Sequence, residues 1–165
     1  MARPHVLVIP YPAQGHMVSI PDGLEPWEDR SDLSDGCMGW AVRVAKKMGI
    51  RSAAFWPASV TTLASILCFQ KLIDDGIISK SGVPLSDQII QLSETMPPIK
   101  PENLGWAARF PDAPTIEAFF QLLVQTEEAS RMTEWFICNS TTELESAAFS
   151  MYPNLLPIGP LLASN

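Results

Sequence analysis

The sequence predicts an α/β domain with a mainly parallel sheet, on two observations. Short apolar runs, HVLVI (5–9), IRSAAFW (50–56) and EWFICNS (134–140), recur between longer amphipathic stretches. Each run closes on a turn-forming residue, and strands alternating with helices in this rhythm bring the chain back to start every strand at the same end of a sheet.

The first strand, HVLVI, runs into a Pro/Gly-rich turn from Pro10 to His16. VSIPDG (18–23) follows almost at once and reads as a second strand with its own turn. The intervening segment is too short for a parallel crossover, which needs a dozen residues or more. EPWEDRSDLSDG (25–36) lacks apolar periodicity and reads as loop, with DRSDLS too polar for a buried parallel strand.

From Cys37 the pattern becomes helical. Trp40, Val44 and Met48 share one face, Arg43, Lys46 and Lys47 another, Gly49 is the stop and Asp35 stands where a cap would be. IRSAAFW is a short buried strand ended by Pro57, and one long helix is expected over 58–76, with Gly76 as its stop. Residues 77–109 are proline-rich loop; TIEAFFQLLVQTEEASRM (115–132) is a helix and EWFICNS a strand. Ser140 and Glu143 have the spacing of a capping box opening a last helix, and NLLPIGPLL (154–162) holds a short apolar segment between prolines.

Composition narrows the function. At 165 residues and 47% apolar content the chain can bury a core, while a net charge of −7 argues against nucleic acid or an anionic membrane as partner. Three dispersed cysteines, Cys37, Cys68 and Cys138, read as reduced thiols of a cytosolic, hence cytoplasmic, protein. Two histidines without a ligand pair argue against a metal site. The amino terminus lacks a signal peptide's unbroken apolar core, and no run is long enough for a membrane span. The sequon at Asn139 therefore reads as a chance match.

Ligands of parallel α/β sheets sit at the carboxyl ends of the strands. That rule selects the turn carrying His16, then Asp35, the stretch Phe55 to Ser59, and Cys138 to Ser140. An imidazole can act as general base when a carboxylate orients it and stabilises the imidazolium. Taken alone, His16 is open to a surface reading and Asp35 to a helix-cap reading. No GxSxG, GxGxxG or Walker sequence is present to support hydrolase, dinucleotide or P-loop chemistry. The tryptophans read as core, with Trp56, at a strand end, also placed to line a pocket.

The segments HVLVIPYPAQGHM, SIPDGL, DGCMGWAVRVAKKMGIRSAAFWPAS, QKLIDDG, WFICNSTTELE and LPIGPL resemble, in order, the amino-terminal half of plant family-1 UDP-sugar-dependent glycosyltransferases. The resemblance implies the GT-B fold: two Rossmann-like domains across a cleft, the first holding a hydroxylated small-molecule acceptor and the second the UDP-sugar. By that resemblance His16 is the general base that deprotonates the acceptor hydroxyl as it attacks the anomeric carbon with inversion. Asp35, in the match Asp-x-x-x-Gly-Trp-Ala, is its paired aspartate. Pro12, Trp56, Ser59, Phe119 and Phe120 are the expected acceptor-binding residues. No metal or resident cofactor is implied; the UDP-sugar is a co-substrate.

The resemblance also carries departures. Family segments are expected to be missing between Met17 and Val18 and between Leu33 and Asp35, and the donor domain after Asn165. The expected organisation is a truncated amino-terminal domain over 1–165, rearranged over 1–35 and coherent over 36–160. Such a chain is expected to be inactive by itself. The alternative is a non-catalytic remnant, from a pseudogene, a splice product or a faulty gene model, that at most binds a small molecule or a full-length relative.

Overall fold

The computed structural model describes residues 6–11 and 31–161. Five strands form one all-parallel sheet in the order of the chain: β1 (Val6–Ile9), β2 (Ser31–Asp35), β3 (Arg51–Trp56), β4 (Trp135–Cys138) and β5 (Leu155–Pro157). Helix α1 (Gly39–Lys47) links β2 to β3. Helices α2 (Val60–Leu67), α3 (Phe69–Asp74) and α4 (Ala113–Ser130) lie between β3 and β4, and α5 (Ser146–Met151) joins β4 to β5. The α/β class and the parallel sheet are as the alternation of runs predicts. The expected strand at VSIPDG lies outside the described residues.

The segment SDLSD corrects one expectation. It is not loop but strand β2, paired on both sides, Leu33 opposite Val8 of β1 and Ala53 of β3, with every residue buried. Two neighbouring backbones supply its hydrogen bonds, and its side chains are small enough to fit between them. Polarity is partly met within the strand, where Ser34 Oγ donates to Asp32 Oδ2 at 2.6 Å. It is not met fully: Ser31 Oγ and Asp32 Oδ1 are buried without a hydrogen-bond partner. Periodicity does not see pairing, so a polar run tolerated between two strands was misread.

Alternation along the strands separates two apolar clusters. Ala54, Trp56, Phe136 and Cys138 face the larger one, with α2 to α5 and Ile77, Ile78, Ile90, Met96, Leu104 and Trp106 from the long connection. Leu33, Ala53, Phe55 and Ile137 form the smaller one on the other face, with Val8, Trp135 and Leu161 packed against it. The proline-rich stretch 77–109 is irregular as expected, yet pinned: Trp106 is fully buried and donates from Nε1 to Gly82 O at 2.9 Å. Phe69 meets both Trp106, edge to face at 4.7 Å between centroids, and Phe120 at 4.3 Å.

Three helix expectations change. The long helix over 58–76 breaks at Cys68, whose φ of −96° and ψ of 6° leave helical geometry, so α2 and α3 bury separate faces. Helix α1 buries Gly39, Ala41, Val42 and Ala45, while the stripe of Trp40, Val44 and Met48 is exposed. Gly39 explains that choice: a Cβ there would lie 2.4 Å from the Gln125 carbonyl, so bare backbone lets α1 sit directly on α4. The capping box also fails, because α5 starts only at Ser146 and Ser140 Oγ donates to Glu145, not to Glu143.

Candidate functional site

The carboxyl ends of β1, β2, β3 and β4 lie side by side, and three of the sequence-predicted residues fall there or just beyond. Asp35 is the last residue of β2, opposite Phe55, and is only 4% exposed. It is not the cap of α1, since Met38 occupies that position without a side-chain cap. Instead Asp35 Oδ1 accepts from Cys37 N at 2.8 Å, its carbonyl accepts from Met38 N at 2.8 Å, and Gly36 N donates to Phe55 O at 2.7 Å. These bonds tighten the strand-to-helix turn and hold the carboxylate against the chain it ends. Asp35 stands one step past the last paired residues of β1 and β2, Ile9 and Ser34, at the exit of β1. Tyr11, at that exit, packs against the main core. His16 and Pro12 lie outside the described residues.

Trp56 ends β3 and is buried, with its Nε1 donating to Ser59 O at 2.9 Å, so its ring faces the core. Ser59 is exposed; it caps α2 by accepting from Thr61 N and donates its hydroxyl to Glu145 Oε1 at 2.6 Å. Phe120 is core, and Phe119 is half-buried against Phe110 at 5.1 Å between centroids. Asp35 and Trp56 are therefore brought to adjacent strand ends, and Ser59 joins them through the turn. Phe119 and Phe120 belong to the aromatic packing of α4.

Glu145 is the residue the sequence reading overlooked. Its carboxylate accepts from Ser59 Oγ, from the backbone N–H of Val60 and Thr61 at 2.9 Å each, from Thr61 Oγ1 at 2.9 Å and from Ser140 Oγ at 2.7 Å. Burial alone would raise its pKa, but the bonds from Ser59, Thr61, Val60 and Ser140 outweigh it and hold the group down at about 2. The carboxylate thus occupies the amino terminus of α2, where the helix dipole favours negative charge, and ties the turn after β3 to the turn after β4. A Ser, Thr or Glu spacing in sequence cannot show this, because Ser59 and Glu145 meet only in the folded chain.

The buried thiols of Cys37 and Cys138 are poorly set up as nucleophiles. Burial pushes Cys37, helped by the Asp35 charge, and Cys138, helped by Glu145, both to about 12. Among the described residues no three His, Cys, Asp or Glu side chains gather as a metal site would require. No described helix is long and apolar enough to cross a membrane.

No protein-family model matches the chain. It is 30% identical to UDP-glycosyltransferase 83A1 of Arabidopsis thaliana, over 98% of its own length and 53% of the relative's. Its fold matches a UDP-glucosyltransferase from Polygonum tinctorium that glucosylates indoxyl, with a TM-score of 0.72 and 18% identity, over 99% of this chain and 54% of that one. Phytolacca americana UGT2, solved with UDP-2-fluoro-glucose and pterostilbene, matches with a TM-score of 0.72 at 14% identity, over the whole of this chain and 56% of its own. The chain is thus similar, over nearly its whole length, to plant UDP-glycosyltransferases. It spans about half the length of these glycosyltransferases, consistent with the amino-terminal half. The alignment with the Arabidopsis glycosyltransferase runs over 246 positions although the chain has 165 residues, so that relative carries interior sequence with no counterpart here.

Proposed function

We propose that these residues form the acceptor side of a site that transfers a sugar from a UDP-sugar to a hydroxyl of a small molecule, with inversion. The observation that carries this reading is the place of Asp35: buried at the end of β2, fixed by Cys37 N, beside the exit of β1 that leads to His16. In this role His16 removes the hydroxyl proton as the oxygen attacks the anomeric carbon, and Asp35 orients the imidazole and offsets the charge it gains. Trp56 and Ser59 shape the neighbouring strand-end turn. We assign the chain to the cytoplasm.

The 165 residues alone do not turn over in this proposal. Transfer needs donor and acceptor held in register, and the matched relatives devote about half their length to sequence outside this match. The second reading, a non-catalytic remnant that at most binds a small molecule or a full-length relative, is favoured by the interior positions missing from the alignment. A radiolabelled UDP-glucose transfer assay with a panel of hydroxylated aromatic acceptors separates them. Turnover by the purified chain that is lost in His16→Ala overturns both the remnant reading and the claim of inactivity. No transfer by the chain alone, but acceptor binding that Asp35→Ala and His16→Ala both weaken, supports the acceptor-side role.

A further inference from the structure

Ser59 is exposed on the turn that leaves β3, close in the chain to Phe55, which lies opposite Asp35. Past Trp56 this turn leaves the sheet: Phe55 is the last residue of β3 paired with β2, and Trp56 the last paired with β4. Two bonds then fix Ser59. Its carbonyl accepts from Trp56 Nε1 at 2.9 Å, and its hydroxyl meets Glu145 Oε1 at 2.6 Å.

A serine hydroxyl has one proton to donate and two lone pairs that accept. Burial works to raise the Glu145 pKa, yet the hydrogen bonds around it bring it down to about 2, so the group is ionised at neutral pH. An ionised carboxylate only accepts, so the 2.6 Å bond takes the Ser59 proton. One lone pair of Ser59 takes the Thr61 N–H at 3.1 Å. The Thr61 hydroxyl does not compete for it, because its own proton also goes to Glu145, at 2.9 Å. One lone pair of an exposed hydroxyl is left. A free serine turns to suit a donor or an acceptor; this one turns only by giving up a bond to a charge. Toward a molecule beside the turn it therefore accepts and does not donate, which favours a hydroxyl over an ether at that point.

We propose that Ser59 is a specificity-determining residue of the acceptor side, selecting molecules that carry a second hydroxyl, which donates to Ser59 Oγ while the first is the nucleophile. Glu145 is a positioning residue that acts through Ser59 by holding its proton. This inference rests on the acceptor-side reading above and adds to it the second hydroxyl and the residue that reads it.

Fluorescence titration of the full chain at neutral pH with 6,7-dihydroxycoumarin and with 7-hydroxy-6-methoxycoumarin tests the role. Both compounds keep a hydroxyl to react, and only the first has another to donate. The dihydroxy compound is expected to bind about three- to tenfold tighter, the margin of one neutral hydrogen bond. Ser59→Ala brings the two affinities together, and Ser59→Thr, which keeps a hydroxyl, holds them apart. Glu145→Ala frees the Ser59 proton to reach the methoxy oxygen and narrows the difference. Glu145→Gln, whose amide oxygen still takes that proton, keeps the difference although it lowers Tm, so loss of stability alone does not produce the pattern. Equal binding by the unaltered chain, a difference that survives Ser59→Ala, or one lost as fully in Glu145→Gln as in Glu145→Ala overturns the proposal and leaves the acceptor-side reading standing, since that reading needs only one hydroxyl. Binding of neither compound overturns both.

Discussion

Replacing Glu145 by Gln tests whether one carboxylate joins the turns after β3 and β4. The amide keeps the shape of the side chain and one acceptor oxygen, which can stay with Ser59 and Thr61. Its NH2 then takes the place of Oε2, facing the Val60 N–H donor and the Ser140 hydroxyl. Ser140 can rotate to accept, but Val60 N–H is left opposite another donor. A hydrogen bond to a charged acceptor contributes about 1.5–3 kcal/mol where shielded, and a helix cap about 0.5–2 kcal/mol. Glu145 is half-buried, so solvent screening reduces the charged part, and the net loss is about 1–3 kcal/mol. For a chain of this size that is a fall in Tm of about 3–10 °C, read by circular dichroism. The pH dependence carries a second signature. The folded-state pKa of Glu145 lies below its ordinary value of 4.5, at about 2, so its stabilisation is complete above that ordinary value and lost as pH falls through about 2. The deficit of Glu145→Gln is therefore full at pH 7 and shrinks as pH falls from 4.5 toward 2. Equal Tm values at pH 7, or a deficit that ignores pH, would refute the reasoning.

Other perturbations follow from the same geometry. Asp32→Asn is expected to raise Tm at pH 7 and leave it unchanged near pH 3, because a carboxyl whose pKa burial raises stabilises the fold only while protonated and loses that contribution as pH rises; a uniform shift across pH would contradict this. Gly39→Ala drives a Cβ into the Gln125 carbonyl and is expected to cost about 1–3 kcal/mol, seen as a lower denaturant midpoint with unchanged slope. Phe120→Ala opens a hole between Phe69, Trp106 and Gly82 and is expected to cost about 3–5 kcal/mol in the same titration, whereas Phe119→Ala, at a half-buried position, costs clearly less.

Much of the chain could be read in order from its residues. The runs at β1, β3 and β4 and the periodic stretches of α1 and α4 are local signals, because hydrophobic spacing reports which side of an element is apolar. The same motifs carried the family resemblance and singled out Asp35, though not as the end of a strand. Strand β2 was not legible, since a strand polar in sequence is stabilised by neighbours 20 or more residues away in the chain. The break at Cys68 was not legible either, because the apolar spacing runs through it with no Gly or Pro to mark it. Tertiary structure alone decided three further things: that α1 turns its small residues inward and its large stripe outward, because Gly39 must reach α4; that Glu145, not Glu143, gathers Ser59 and Ser140; and that Asp32 is buried with one oxygen left without a hydrogen-bond partner. Each depends on groups distant in sequence meeting at a few ångströms, which spacing along one chain cannot encode.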